Sequence, residues 1–191
     1  TMLPEMTISF DISRKKSIAA VEKAMVSDQR VCLVAQKDPE IQDPTLEQLC
    51  HIGTASYIKQ LVKMPGGIVR VMAEGQERAE LLDLDSTEPA LIGEILLTEE
   101  QESDVDAAAA EAMSRILKEK LESYGRQHPK FSKEILPNML LCEDLESLML
   151  QMASELPWDY KIRQNYLEET TLAGQYEVLL SNLIHEIEVS Q

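Results

Sequence analysis

Glycine-rich loops and clustered metal ligands are both missing from this 191-residue sequence. Its seven glycines never adopt the Gly-x4-Gly-Lys-Ser/Thr spacing with which backbone amides wrap a phosphate, so we expect no ATP or other cofactor bound by this chain. Three histidines and three cysteines are scattered, apart from the neighbours Cys50 and His51, and offer poor material for a zinc site or for a nucleophile and its base. We therefore predict no catalytic, cofactor-binding or metal-binding residues.

Long apolar runs and positive charge are scarce as well. The longest apolar run, Val31–Ala35, is far shorter than the roughly 20 residues of a membrane helix. Eighteen Lys and Arg against 34 Asp and Glu leave a net charge of −16, which repels phosphate backbones and anionic membranes. An odd number of cysteines without a secretory signal favours a reduced compartment. We expect a cytoplasmic protein without nucleic-acid or membrane partners.

The pattern of apolar residues changes near residue 99 and predicts an α+β protein of two domains, 1–98 and 99–191. Before that point, short strand-like segments suggest a small barrel or sandwich. A single helix interrupts them at Arg14–Met25, where apolar residues recur at helical spacing. The predicted strand segments are Met6–Ile12, Val31–Ala35, a strand opened by Ile52-Gly53-Thr54, Ile58–Met64, Ile68–Ala73, Ala79–Leu84 and Leu91–Leu97.

A hairpin is predicted around Pro65-Gly66-Gly67, because proline presets one turn angle and glycine permits positive φ. Met64 and Met72 flank this turn and are candidates for exposure, whereas most of the nine methionines are explained by core packing. The turn segment Asp85–Pro89 separates the last two strand segments.

After Thr98 the sequence is predicted to be helical. We interpret the acidic run Glu99–Asp106 as a solvated connector rather than a binding site, with Ser103 and Asp106 capping the next helix and Gly125 ending it. A second apolar stripe ends at Pro157, and Trp158 is expected to seal the junction between two helices. A third stripe, Leu172–Ile187, predicts a final helix that runs to or past the last residue.

Two further features have competing interpretations. Cys32 lies in an apolar run, so we interpret it as a core residue rather than a reactive thiol. The basic triplet Arg14–Lys16 could bind phosphate, but at the front of a helix in an acidic chain we interpret it as solvated surface.

Seven ordered motifs resemble the N-terminal domain of bacterial Lon proteases. Leu3–Met6 is similar to the family's Phe-Pro-Gly-Met, and Glu74–Arg78 to its Glu-Gly-Leu-Glu-Arg. The other five are Arg14–Ser17, Gln36–Asp38, Asp43–Thr45, Gly53–Ala55 and Lys63–Gly67. The likeness is looser in the helical half, where Glu155–Pro157 and Lys161–Leu167 carry it. Two departures are Glu5, where the family usually has glycine, and a nearly missing strand before Leu3, which predicts an altered or frayed sheet edge.

This resemblance implies a β-rich pseudobarrel of the PUA type with one helix, followed by an α-helical bundle. It implies a non-catalytic part of an ATP-dependent serine protease, whose ATP, Mg²⁺ and Ser-Lys pair belong to other domains. No residue here matches those sites, so the fragment itself is not expected to be an enzyme.

As a hypothesis, the domain binds unfolded or damaged proteins and delivers them to the ATPase ring of a homo-hexamer. We predict that Met64, Pro65, Ile68 and Met72 contact the substrate. One alternative is an assembly module that acts through the final helix of each Lon subunit. Another is a free-standing relative that binds a small ligand or an adapter.

Overall fold

The computed structural model describes residues 1–85, 89–98 and 103–190. They fall into two units, Thr1–Glu99 and Glu100–Gln191, which we describe separately. The first is strand-rich and the second helical, so the predicted α+β class is confirmed. That the parts are independent domains, 1–98 and 99–191, stays a prediction.

The first unit is a five-stranded antiparallel sheet with one α-helix. Its strands lie in the order β1-β4-β3-β2, and β5 pairs with the far half of β4. A single 3-10 turn at Leu46–Gln48 precedes β3. In chain order the elements are β1 (Thr7–Ile12), α1 (Lys15–Met25), β2 (Arg30–Leu33), β3 (Ile52–Met64), β4 (Ile68–Asp85) and β5 (Ile92–Leu97).

Strand β4 is one strand of 18 residues, so the prediction of two short strands was wrong. The polar segment between its apolar halves stays paired to β3, with Glu74 opposite Tyr57 and Gly75 opposite Ser56. Shifts of register in β3 and β4 absorb the change in pattern that we interpreted as a break. Of the predicted turn at Asp85–Pro89, residues 86–88 lie outside the described part of the chain.

The core of this unit lies between α1 and one face of the sheet. Val21 and Ala24 of α1 pack with Ile58 of β3 and with Val69 and Val71 of β4. Partly buried apolar side chains of both β1 and β2 pack against the same cluster. Strands from opposite edges of the sheet therefore share one core.

The segment before β1 is anchored rather than frayed. Met2 and Leu3 are buried, and the hydroxyl of Thr54 donates to Met2 O at 2.7 Å. Glu5 N donates to Gly75 O, and Gly75 N donates to Met6 O, both at 2.8 Å. A Cβ on Gly75 would overlap Leu3 O, so only glycine permits this approach. This segment is therefore not frayed, and whether the sheet edge is altered stays a prediction.

Residues 103–190 of the second unit form six helices. Asp106 is the N-cap of the first, where its carboxylate accepts from Ala109 N at 2.8 Å. Ser103 instead bonds within a local turn to Val105, so its predicted role as the cap was wrong. The helices are α2 (Ala107–Gln127), α3 (Pro129–Glu134), α4 (Leu136–Leu140), α5 (Leu145–Glu155), α6 (Tyr160–Glu168) and α7 (Leu172–Val189).

Gly125 lies inside α2 and does not end it, contrary to prediction. It is buried, and a Cβ there would lie 3.1 Å from Leu136 Cδ2 and 3.4 Å from Ser132 Cβ. The glycine thus serves the close approach of the next two helices. Helix α2 ends at Gln127 because His128, which precedes Pro129, leaves the helical region with φ −128° and ψ 80°.

The apolar stripe of α7 packs within its own unit. Leu179 and Leu183 are fully buried, and α7 contacts α2, α5 and α6. Met149 and Met152 of α5 are likewise fully buried. Trp158 is buried in the connection between α5 and α6, as predicted.

Glu5 has φ 64°, a left-handed conformation that glycine adopts without strain. The resembling motif has glycine at this position, whereas the Cβ of Glu5 makes the same conformation sterically costly. We expect Glu5→Gly to raise the free energy of unfolding by about 1 kcal/mol, because the cost of a left-handed Cβ disappears. Urea denaturation followed by circular dichroism measures the change.

Glu5→Ala is the matched control, since alanine removes the exposed carboxylate but keeps the Cβ. Its stability should stay close to that of the wild type. A Glu5→Gly variant no more stable than Glu5→Ala would contradict the strain at this residue.

Candidate functional site

The β3–β4 hairpin has a tight three-residue turn. Met64 pairs with Ile68, so Pro65, Gly66 and Gly67 alone connect the strands. Gly66 and Gly67 have φ 81° and 75°, which larger residues rarely adopt. The predicted hairpin is confirmed. Strand β3 begins at Ile52, where a strand was expected to open, and β4 continues past Ala73 to Asp85.

Four apolar side chains share the outward face of this hairpin tip: Val62, Met64, Ile68 and Met72. We call them the outer hairpin face. Opposed residues of paired strands project to the same side, and the intervening Val69 and Val71 are buried in the core. Val62 is 40% exposed, while Ile68 and Met72 are each 36% exposed. Met64 is half-buried and Pro65 is exposed.

The structure thus brings the predicted contact residues together at one end of the sheet. Val62 was missed by sequence reasoning, although the alternation of a strand ending at Met64 places it on the same face. Whether these residues touch a substrate stays a prediction.

Arg70 projects from the outer hairpin face itself, opposite Val62, and its charge and those nearby are largely paired. Arg70 donates to both carboxylate oxygens of Asp11, at 2.8 and 3.2 Å. This hydrogen bonding lowers the pKa of Asp11. Lys59 and Glu74 form a second ion pair at 2.6 Å. An apolar partner can therefore reach this face without having to neutralise those charges.

A second candidate is a groove of about 910 Å³ in the same unit, which we call the α1 groove. It is lined by α1, β2, β5 and the segment 36–44 that precedes the 3-10 turn. Buried apolar residues, including Val21, Ala24, Ala55 and Leu81, lie among its lining residues. Sequence analysis gave no sign of this concavity, because it forms only when segments remote in the chain meet.

The lining of the α1 groove is unusually basic for this chain. It contains five of the 18 Lys and Arg but only two of the 34 Asp and Glu, Asp28 and Asp43. The five bases are Arg14, Lys15, Lys16, Lys23 and Arg30. The groove therefore carries a local positive charge in a chain of net charge −16.

These bases differ in how they are held. Lys16 pairs with Asp43 at 2.9 Å, and Arg30 lies 3.4 Å from Glu77. Arg14 donates to the side chain of Gln36 and to Pro39 O, which are neutral acceptors. Of the basic triplet interpreted as solvated surface, only Lys15 is exposed, whereas Arg14 and Lys16 are half-buried.

Cys32 lines the α1 groove and is only partly buried, so its assignment to the core was too simple. The strand that carries it lies at the edge of the sheet and has a pairing partner on one side only. Burial raises the pKa of its thiol to about 11.

Within residues 1–85, 89–98 and 103–190, no three His, Cys, Asp or Glu side chains come together in a way that could hold a metal ion. In the same part of the chain, no helix has the length and apolar character needed to cross a membrane.

A family model for the substrate-binding domain of ATP-dependent protease La (LON) matches residues 1–185. The chain is 37% identical over 188 residues to a Lon protease of Lachnoclostridium phytofermentans, covering 98% of this chain and 23% of that protein. It is 34% identical over 186 residues to a Lon protease of Brevibacillus choshinensis, covering 97% and 24%. The chain thus spans about a quarter of the length of these relatives.

Two solved structures have a similar fold. One is the N-terminal domain of a Lon protease of the Mycobacterium avium complex, with a TM-score of 0.72, 18% identity and coverage of 96% of this chain and 92% of that one. The other is a Lon N-terminal domain protein from Xanthomonas campestris, with a TM-score of 0.61, 16% identity and coverage of 96% and 91%.

The raised pKa of Cys32 predicts slow alkylation. At pH 8 about one thiol in a thousand is ionised when its pKa is about 11, and only the thiolate reacts. We expect the rate with iodoacetamide to rise about tenfold per pH unit up to pH 10. Peptide mass spectrometry after timed quenching measures this rate for Cys32 alone.

The same protein in urea is the control, since unfolding removes the burial that raises the pKa. There the rate at Cys32 should level off above about pH 9. A rate that levels off below pH 9 in the folded protein would show that this thiol is not shielded.

Proposed function

Because the chain belongs to the family of Lon substrate-binding domains, we propose that it binds unfolded or damaged proteins and delivers them to the ATPase ring of a Lon protease. The outer hairpin face carries the proposal. Three of its four side chains are at least 36% exposed, and all four project from one side of the hairpin tip, together with the ion-paired Arg70. Unfolded chains expose apolar side chains that folded proteins bury, so such a face discriminates between them.

The side chains of this face suit partners of varied sequence. Met64 and Met72 are unbranched and polarizable, and they adapt to differently shaped apolar groups. Pro65, Gly66 and Gly67 hold the strands that display them in a defined turn. We therefore propose recognition of apolar character rather than of one sequence.

The remaining parts of the activity are proposed for regions beyond this chain. The chain spans about a quarter of its relatives' length, which leaves room for an ATPase that uses ATP and Mg²⁺ and for a serine peptidase with a Ser-Lys pair. We further propose a cytoplasmic location and a homo-hexameric parent. Six weak sites on one ring would raise the effective concentration for a bound chain.

We also propose that the sheet closes as a PUA-like pseudobarrel and that the six helices form a bundle. The shared core of β1 and β2, from opposite edges, supports the first point, because a flat sheet would keep those strands apart. The burial of Leu179 and Leu183 supports the second.

An assembly role for the final helix has less support. The stripe that suggested it packs against α2, α5 and α6 of the same unit. Two residues of the stripe, Leu179 and Leu183, are thus explained without a second subunit, whereas its other members are only partly buried.

Replacing Met64, Ile68 and Met72 together by alanine should weaken binding of an unfolded protein about a hundredfold, because three anchoring side chains that each contribute about 1 kcal/mol account for about 3 kcal/mol together. Pro65 is kept so that the turn is preserved. Fluorescence anisotropy with labelled, reduced and carboxymethylated lactalbumin measures the dissociation constant.

Alanine at Leu82, Leu96 and Leu141 is the matched control, since these residues are 45%, 57% and 77% exposed and lie outside both candidate surfaces. This variant should bind like the wild type. Equal affinities for both variants would reject the outer hairpin face as the contact. A wild-type domain that fails to bind the unfolded protein would reject the proposed function.

A further inference from the structure

We propose that the α1 groove is a second substrate subsite, which binds extended peptide segments that combine aliphatic side chains with a carboxylate. This inference rests on the proposed function and names a class of segment that the apolar outer hairpin face does not select. The groove and the hairpin face belong to the same unit but use different residues.

Charge is the first argument for an acidic occupant. Lys15 and Lys23 are exposed residues of α1 on the lining of the groove. Arg14 is held by neutral oxygens, so its positive charge is oriented without being cancelled. Against these three stands the charge of Asp28, which accepts from the neutral Arg30 N at 3.1 Å, whereas Asp43 is already paired with Lys16. The field in the groove therefore favours a carboxylate.

The apolar lining is the second argument. Val21, Ala24 and Leu81 are buried residues of the groove, whereas Ile92 and Leu97 of β5 line it and are 36% and 41% exposed. Aliphatic side chains entering the groove would remove that exposed surface from water. A ligand without apolar groups would not bury this surface, and a ligand without a negative charge would form no ion pair with the bases.

Access favours a peptide segment over a compact ligand. A volume of about 910 Å³ lies within the range, about 300–1,000 Å³, of small-molecule pockets, so the choice between the two depends on access. The lining includes exposed residues of α1 and of the segment 36–44, so the groove opens to solvent at its side. A chain can enter such a groove from the side while the rest of it remains outside.

The test is a titration of the whole 191-residue chain with two fluorescein-labelled hexapeptides. One has four aliphatic residues, an aspartate and a glutamate, and its twin carries asparagine and glutamine instead. We expect the acidic peptide to bind more tightly than the amide twin. That preference should vanish in about 0.5 M NaCl, where the screening length is only a few ångströms.

Lys15→Gln combined with Lys23→Gln should weaken binding of the acidic peptide about three- to fivefold, the effect expected for two exposed ionic contacts. Its binding of the amide twin should be unchanged. Lys130→Gln combined with Lys161→Gln is the control, because it makes the same change in net charge at exposed positions of the helical unit. An equal loss in both variants, or a loss in neither, would overturn the proposal.

Alkylation of the cysteines shows where the peptide binds, because Cys32 lines the groove whereas Cys142 lies in the other unit. The acidic peptide should slow alkylation of Cys32 at pH 9 and leave Cys142 unaffected. Unchanged alkylation of Cys32 by a saturating peptide would place the peptide elsewhere and reject the groove.

Two other results would also reject the inference. Self-association of the chain that depends on Lys15 and Lys23 would make a second copy the occupant. Displacement of the peptide by free decanoate at equal concentration would point to a small amphiphile. Binding of unfolded lactalbumin through the outer hairpin face would survive either result, so the two proposals fail separately.

Discussion

The pairing of β3 with β4 is the interaction on which the rest of the strand-rich unit depends. These strands run antiparallel from the pair Met64 and Ile68 to the pair Ile52 and Glu80. Strands β1 and β5 bind successive halves of β4, and β2 binds the start of β3. Every other strand therefore takes its position from this hairpin, and so do both candidate surfaces.

Close backbone approaches at two glycines fix how the remaining segments meet the hairpin. A Cβ on Gly53 would overlap Leu33 O and the side chain of Val34, and one on Gly75 would overlap Leu3 O. Register shifts between Ala55 and Ser56, and again nearby, bend the strands in the same region. The lining of the α1 groove, which includes Ala55, thus depends on contacts that no larger residue would permit.

Local sequence was informative where one segment decides the structure. Pro65 and the two glycines predict the hairpin because the turn needs their backbone angles, and alternation places Ile68 and Met72 on one face. Local sequence gave wrong predictions where tertiary packing decides the structure. Gly125 carries the signature of a helix end, yet it is used for the approach of Leu136. Ala79–Leu84 has the length of a separate strand but continues β4 through pairing with β3 and β5. The groove was invisible for the same reason, since its walls are far apart in sequence.

Because of the charge distribution, the two surfaces attract a substrate by different interactions and at different stages of binding. A net charge of −16 repels acidic chains at a distance, but screening confines this effect to about 8 Å at physiological salt. The bases of the α1 groove act only within that range, so they select a carboxylate after contact rather than attracting it from afar. The outer hairpin face, whose flanking charges are paired, can make the first contact through apolar side chains alone. A chain bound there would then place a carboxylate in the α1 groove of the same unit. Two weak contacts made by one chain discriminate between substrates better than either contact alone.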